Sequence, residues 1–182
     1  MLRSTPIQHT SPLYRLGALA LLTAVAAILV ALGFEYIGGY LPCPLCLTER
    51  YAYYAAIPVL FFALIAASGG HPGWAALGFL LVSLAFLVNA GLGGYHAGAE
   101  WGFWPGPSTC SGALTPLDST GGLLKNLANT HVVRCDQASW RLFGLSFAGW
   151  NAVISALLWI TSFQAARAAM AVRSASSARA FI

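Results

Sequence analysis

Charged side chains are scarce in this sequence. Only 8% of its 182 residues are Asp, Glu, Lys or Arg, against roughly a quarter in soluble domains. Such a chain cannot cover a globular surface in water. The deficit excludes an ordinary cytosolic enzyme, and the high apolar content excludes a disordered segment. Basic residues outnumber acidic ones by nine to five, but they are scattered. They form no basic stripe of the kind that binds nucleic acid. What is present is apolar: 58% hydrophobic residues and a mean hydropathy of +0.72. These values point to an integral membrane protein.

Four stretches lack charge altogether: residues 16–34, 51–67, 74–94 and 142–166, of 19, 17, 21 and 25 residues. About 20 apolar residues suffice for a helix to cross the hydrocarbon core. The runs are continuous rather than alternating, so helices are predicted and a barrel is not. The first run exceeds a signal-peptide core of roughly 7–15 residues, and no polar domain follows it, so it is expected to be retained as a span. The fold class expected is all-α: a four-transmembrane-helix bundle forming one domain over 1–182. Its spans fall at about 15–34, 47–67, 74–94 and 143–165. A short amphipathic helix is expected at 121–129, where Leu123, Leu124 and Leu127 share one face. It could lie flat on the bilayer surface.

Orientation follows from basic bias. The tails 1–14 and 166–182, with Arg15 at the membrane edge, hold five basic residues and no acidic ones. The loops 35–46 and 95–142, with the residues bordering them, hold four basic and five acidic residues. Both termini are therefore expected in the cytoplasm and both loops on the outward, periplasmic face of a bacterial inner membrane. The turn at 68–73 (SGGHPG) is expected on the inner face.

None of the four cysteines lies deep in a span. Cys43, Cys46, Cys110 and Cys135 all fall in or beside the two outward loops, on the oxidising side of the membrane. An even count there reads as two disulfides, although four cysteines allow three pairings. Cys43-Pro44-Leu45-Cys46 is a C-x-x-C motif, a spacing that lowers the attacking thiol's pKa. A thioredoxin fold is excluded, since no βαβ pattern fits between the spans. The pair instead precedes the second span, whose first backbone N–H groups favour a thiolate. Arg50 follows Cys46 by four residues, on the same helix face. Other readings stay open. Each pair could be a static staple, Arg50 could be a snorkelling anchor, and His96 could be an interfacial polar residue. A four-cysteine zinc site is disfavoured, because the second pair lacks C-x-x-C spacing. His71 and His131 carry no assigned role. Trp101, Trp104, Tyr51 and Tyr53 suit an aromatic belt, and Pro58 suits a kink in the second span. Two redox pairs on one face suggest electron relay. By elimination, a diffusible two-electron acceptor inside a bilayer would be a quinone.

The segments CPLCLTER at 43–50, YHAGAEWGFWPGPSTC at 95–110 and RCDQASWRLFGLSFAGWN at 134–151 resemble the DsbB family of disulfide bond formation proteins along the whole chain. The resemblance implies a quinone-dependent thiol oxidase. Such a protein reoxidises a soluble, DsbA-like thioredoxin-fold oxidase and passes the electrons to ubiquinone or menaquinone. It implies that Cys110 meets the partner's thiolate, that Cys135 exchanges with Cys43, and that Cys46 faces the quinone. It further implies quinone-binding roles for Arg50 and His96. Glu49 matches an acidic position beside that arginine. Two other readings suit the same residues. One is a vitamin K epoxide reductase-like enzyme, whose C-x-x-C usually follows the loop cysteines rather than preceding them. The other is a membrane scaffold whose bridges only hold its loops.

Overall fold

The computed structural model describes residues 12–106 and 134–180. The helix expected at 121–129, together with Cys110 and His131, lies outside the described residues. Four helices dominate: α1 (Pro12–Tyr36), α2 (Pro44–Ser68), α3 (Pro72–Glu100) and α4 (Phe147–Ala180). All four are long and apolar enough to cross a membrane, so the chain is a multi-pass membrane protein. A two-residue-per-strand hairpin, β1 (Arg141–Leu142) and β2 (Leu145–Ser146), precedes α4. Its turn residues Phe143 and Gly144 both have positive φ, 51° and 83°, as a type I′ hairpin turn requires.

Local sequence sets the helix starts. Proline opens α2 and α3, where its missing N–H is not needed and its fixed φ is already helical. The helix α2 then runs through Pro58 to Ser68 without interruption. The helix α3 continues six residues past its charge-free run, to Glu100. His96 therefore stands on a helix rather than in a loop. The exposed faces are as apolar as the buried ones: Leu22, Leu29, Phe62, Leu81 and Val88 all point outward. That surface suits lipid, and an outer face of this kind is what a span needs.

The helices form a ring in which α1 packs on α2 and α4, and α3 packs on α2 and α4. The diagonal pair α2 and α4 keep their backbones apart and meet through long side chains. Inward positions are largely small. On α1 they are Gly17, Ala20 and Ala24, and on α4 Ala165, Ala166 and Ala169. Lipid offers no hydrophobic drive for helix association, so close approach through small residues supplies the packing. The tightest crossing is α3 against α4. A Cβ added at Gly93 would meet the Ala152 nitrogen and Asn151 Nδ2, each at 3.0 Å.

Candidate functional site

The end of the bundle that carries the cysteines is built on the first turn of α2. Cys43 is its N-cap, and its sulfur accepts the Cys46 backbone N–H at 3.1 Å. A sulfur in that position meets unpaired N–H groups and the positive end of the helix dipole. The Cys43 and Cys46 sulfurs share a hydrogen bond at 2.7 Å, and both cysteines are free thiols. Forming a disulfide between them needs only a small approach, to about 2.05 Å. Cys43 is 3% exposed, whereas Cys46 is partly open.

A second residue fixes the chemistry of Cys43. Nε2 of His96 lies 3.7 Å from the Cys43 sulfur, and Nδ1 lies 2.8 Å from Glu49 Oε1. A carboxylate only accepts, so the hydrogen of that bond sits on Nδ1. Nε2 is then the nitrogen that can trade a proton with the thiol. The hydrogen bond from Cys46 holds the Cys43 thiol far below its usual range, at about 4. Burial pushes the other way, and His96 and the Cys46 N–H add to the lowering. Cys43 is thus the thiolate of the pair.

Glu49 is in turn held from α4. Asn151 Nδ2 donates to its Oε2 at 2.9 Å, and Tyr53 donates to Asn151 Oδ1 at 2.7 Å. Asn89 Nδ2 donates to Ser155 Oγ at 2.9 Å, and Ser155 lies 3.3 Å from the Tyr53 hydroxyl. These groups of α2, α3 and α4 are therefore linked into one network. Inside a membrane such groups are costly unless paired, so the network fixes the register of three helices. It also fixes the tilt of the His96 ring.

Cys135 comes to the same place from the segment before the hairpin. It is disulfide-bonded and 1% exposed. The Cys135 sulfur, the Cys43 sulfur and a His96 ring nitrogen lie within 4.8 Å of one another. A disulfide sulfur thus rests against a stabilised thiolate, which is the arrangement thiol–disulfide exchange needs. Nearby, Arg134 donates to Asp136 at 2.9 and 2.5 Å, and this exposed pair holds the Asp136 carboxyl below its usual range.

Beside the sulfurs, a cavity of about 470 Å³ opens between α1, α2 and α4. Its size falls within the roughly 300–1,000 Å³ of small-molecule sites. Cys46, Arg50 and His96 face it together with Phe34, Trp140 and Phe147. The Trp140 and Phe147 rings stack at 4.9 Å, and Phe34 meets Phe147 edge-on at 4.9 Å. Arg50 is not a free anchor. It is ion-paired with Glu35 at the end of α1, and the two side chains are 13% and 19% exposed.

The structure therefore gathers Cys43, Cys46, Glu49, Arg50, His96 and Cys135 in one place. The sequence reading overlooked Glu35, Asn89, Asn151 and Ser155. Asn89 and Asn151 had a readable signal: a carboxamide inside an apolar run is a functional candidate by default.

A family model described as "Disulfide bond formation protein DsbB" matches residues 14–165. The chain is 29% identical over 148 residues to the disulfide bond formation protein B of Acidovorax sp. (strain JS42), covering 74% of this chain and 78% of that relative. It is 31% identical over 159 residues to the protein of the same name from Herminiimonas arsenicoxydans, covering 84% and 89%. The corresponding match in Xanthomonas oryzae pv. oryzae (strain MAFF 311018) is 31% over 139 residues, covering 72% and 80%. No solved structure matches the chain.

Proposed function

The chain belongs to the DsbB family of disulfide bond formation proteins, and from that premise we propose that it is a quinone-dependent thiol oxidase. Its electron donor is the dithiol of a soluble thioredoxin-fold, DsbA-like oxidase, and its acceptor is ubiquinone or menaquinone. The observation that carries this reading is the disulfide-bonded Cys135 resting within 4.8 Å of the Cys43 thiolate position, beside a cavity that Cys46 also faces.

The exchanges balance as follows. In this reading Cys110 and Cys135 form the loop pair, as the resemblance implies. The partner's thiolate attacks Cys110, forming a mixed disulfide and releasing Cys135 as a thiolate. The partner's second thiol then breaks that mixed disulfide and leaves oxidised, so Cys110 and Cys135 hold its two electrons. Cys135 attacks Cys43 of an oxidised Cys43–Cys46 pair, and Cys46 departs as a thiolate. Cys110 resolves the new bond, so the loop bridge reforms and the electron pair rests on Cys43 and Cys46.

The cavity fits a quinone head group. Its wall of Phe34, Trp140 and Phe147 suits a flat ring, and Arg50 and His96 supply donors at the polar end. A bound quinone supplies an acceptor for two electrons and two protons. The protein's own part is to hold Cys43 ionised through His96, keep His96 upright through Glu49, and place Arg50 where an anionic oxygen develops.

The chain is further proposed to sit as one domain in the bacterial inner membrane, with both termini cytoplasmic and its cysteines periplasmic. The five basic and no acidic residues of its tails support that orientation. The test is quinone reduction by the detergent-solubilised protein, driven by a reduced DsbA-like oxidase. Catalytic loss of oxidised-quinone absorbance that Cys46→Ser abolishes is the expected result. No loss with either quinone class would leave the cysteines as staples.

A further inference from the structure

One buried acid takes no part in those steps. Glu100 is the last residue of α3, and its side chain is 6% exposed. The Ser146 hydroxyl hydrogen-bonds the carboxyl, and Oε2 has no other hydrogen-bond partner among the described residues. Its Oε1 lies 3.9 Å from His96 Nε2, one helical turn away. A buried carboxyl with so few partners is costly to keep for packing alone.

Its position adds a second, independent observation. The inner cavity holds the Cys43 and Cys46 sulfurs. A shallower, more open depression lies on the outer surface, formed by residues 99–106 and Asp136. Among the described residues, Glu100 alone lines both. The carboxyl thus lies between the cavity beside the sulfurs and the outer depression. Nδ1 of His96 is committed to Glu49, so Nε2 is its one exchangeable position. That nitrogen has Cys43 at 3.7 Å on one side and Glu100 at 3.9 Å on the other. The first is a hydrogen bond to sulfur, and the second is slightly longer than a hydrogen bond, which a small shift closes.

We propose that Glu100 is the proton outlet of Cys43, working through His96. When Cys43 ionises, its S–H bond breaks and the electron pair stays on sulfur. The proton passes to His96 Nε2 and from there to a Glu100 oxygen. The carboxyl then releases it into the outer depression. The reverse path reprotonates Cys43 after it has served as a leaving group. No oxidation state changes in either direction. The groups facing Glu100 are His96 on its own helix, Cys43 and Glu49 on α2, and Arg141 and Ser146 on the hairpin. Asp136 faces it across the outer depression. The proposal rests on the reading that Cys43 cycles between thiol and disulfide.

The test uses the full-length, reduced, quinone-free protein in detergent. A stopped-flow pH jump across the ionisation of Cys43 is followed by thiolate ultraviolet absorbance, with Cys43→Ser as the blank. Glu100→Gln is expected to slow ionisation at least tenfold, with an order of magnitude typical of a lost proton-transfer group. The final amplitude should be unchanged, and added acetate should restore the rate. Glu100→Asp, which keeps the carboxyl, is expected to stay within a few-fold of the unmodified protein. Should Glu100→Gln not fold, Glu100→Asp carries the test through its solvent isotope effect, which must exceed that of the unmodified protein. Unchanged ionisation in Glu100→Gln, failure of acetate to rescue it, or an unchanged isotope effect in Glu100→Asp overturns the proposal. Quinone reduction by the unmodified protein is measured in parallel. Its absence would sink the functional reading while the proton outlet stood or fell on the pH jump.

Discussion

The two ends of the bundle use the same helices in different ways. Near the α2–α3 turn the interior is Leu13, Ala63, Ala67, Ala75, Phe79, Ala165, Ala166 and Ala169, all buried and all apolar. At the cysteine end the interior is Glu49, Tyr53, Asn89, His96, Asn151 and Ser155, with a cavity beside them. Apolar packing tolerates small errors, because each lost contact costs little by itself. A buried polar network does not, because each unpaired member carries a full desolvation cost. The alanine end therefore holds the helices together, and the polar end decides how they sit relative to one another. A reactive thiolate needs the second kind of order.

This contrast predicts a steep gradient of mutational effects. The largest lies at the sulfurs. Cys43→Ser and Cys46→Ser should each abolish quinone reduction while leaving the helical circular dichroism intact. Normal turnover in either variant would remove the relay. Next comes Glu49. Its two oxygens accept from His96 Nδ1 and Asn151 Nδ2. Glu49→Gln turns one acceptor into a donor, so one of those groups loses its partner. Turnover should fall about 100-fold, the lower range for disrupting a positioned acid–base group. Unchanged turnover would show that His96 needs no orienting acid.

Arg50 is predicted to act on binding more than on rate. Arg50→Lys keeps the charge and loses the planar fork that reaches Glu35 and the cavity together. KM for quinone should rise about tenfold, equivalent to roughly 1.4 kcal/mol, with kcat changed less. A pure kcat effect would move Arg50 from quinone binding to the chemical step.

The sequence made the apolar half of this contrast easy to read. Four charge-free runs announced four helices, because a span must be apolar along its whole length. C-x-x-C ahead of the second run and Arg50 four residues later were visible as local spacings. The polar half was not readable, because its partners are far apart in sequence: Glu49 with His96, and Glu49 with Asn151. Nothing local says that Tyr53, given to the aromatic belt, turns inward to Asn151. The end of α3 was also misjudged by composition. The third span was expected to close at about 94, yet the helix reaches Glu100 and so carries His96 and Glu100 on one face. The loop helix expected at 121–129 lies outside the described residues.

A subtler test concerns the thiolate itself. Cys43 ionises at about 4, against about 8.5 for an ordinary cysteine. A lowered value means that the thiolate persists as pH falls, until the midpoint is reached. Alkylation of Cys43 by iodoacetamide, located by peptide mass spectrometry, should stay flat from about pH 8 to about pH 5. It should then drop with a midpoint near 4. A midpoint near that of free cysteine would mean that the Cys46 hydrogen bonds and His96 do not hold the charge.

The smallest expected effect sharpens the comparison most, because it isolates the hydrogen bond from everything else. Ser155 and Ser162 lie seven residues apart on α4, two turns along the same face, and both are fully buried. Ser155 accepts from Asn89 and contacts the Tyr53 hydroxyl. Ser162 Oγ has no partner among the described residues. Each serine-to-alanine change removes the same oxygen from the same helix. Ser155→Ala leaves Asn89 Nδ2 only its longer bond to Asn151 Oδ1, at 3.4 Å, and should cost about 1 kcal/mol of unfolding free energy. Ser162→Ala strands nothing and should be neutral or slightly stabilising. Denaturation of the two variants in matched detergent reads the difference directly. Equal losses would mean that the network confers no more order than the alanines do, and the contrast between the two ends would collapse into packing alone.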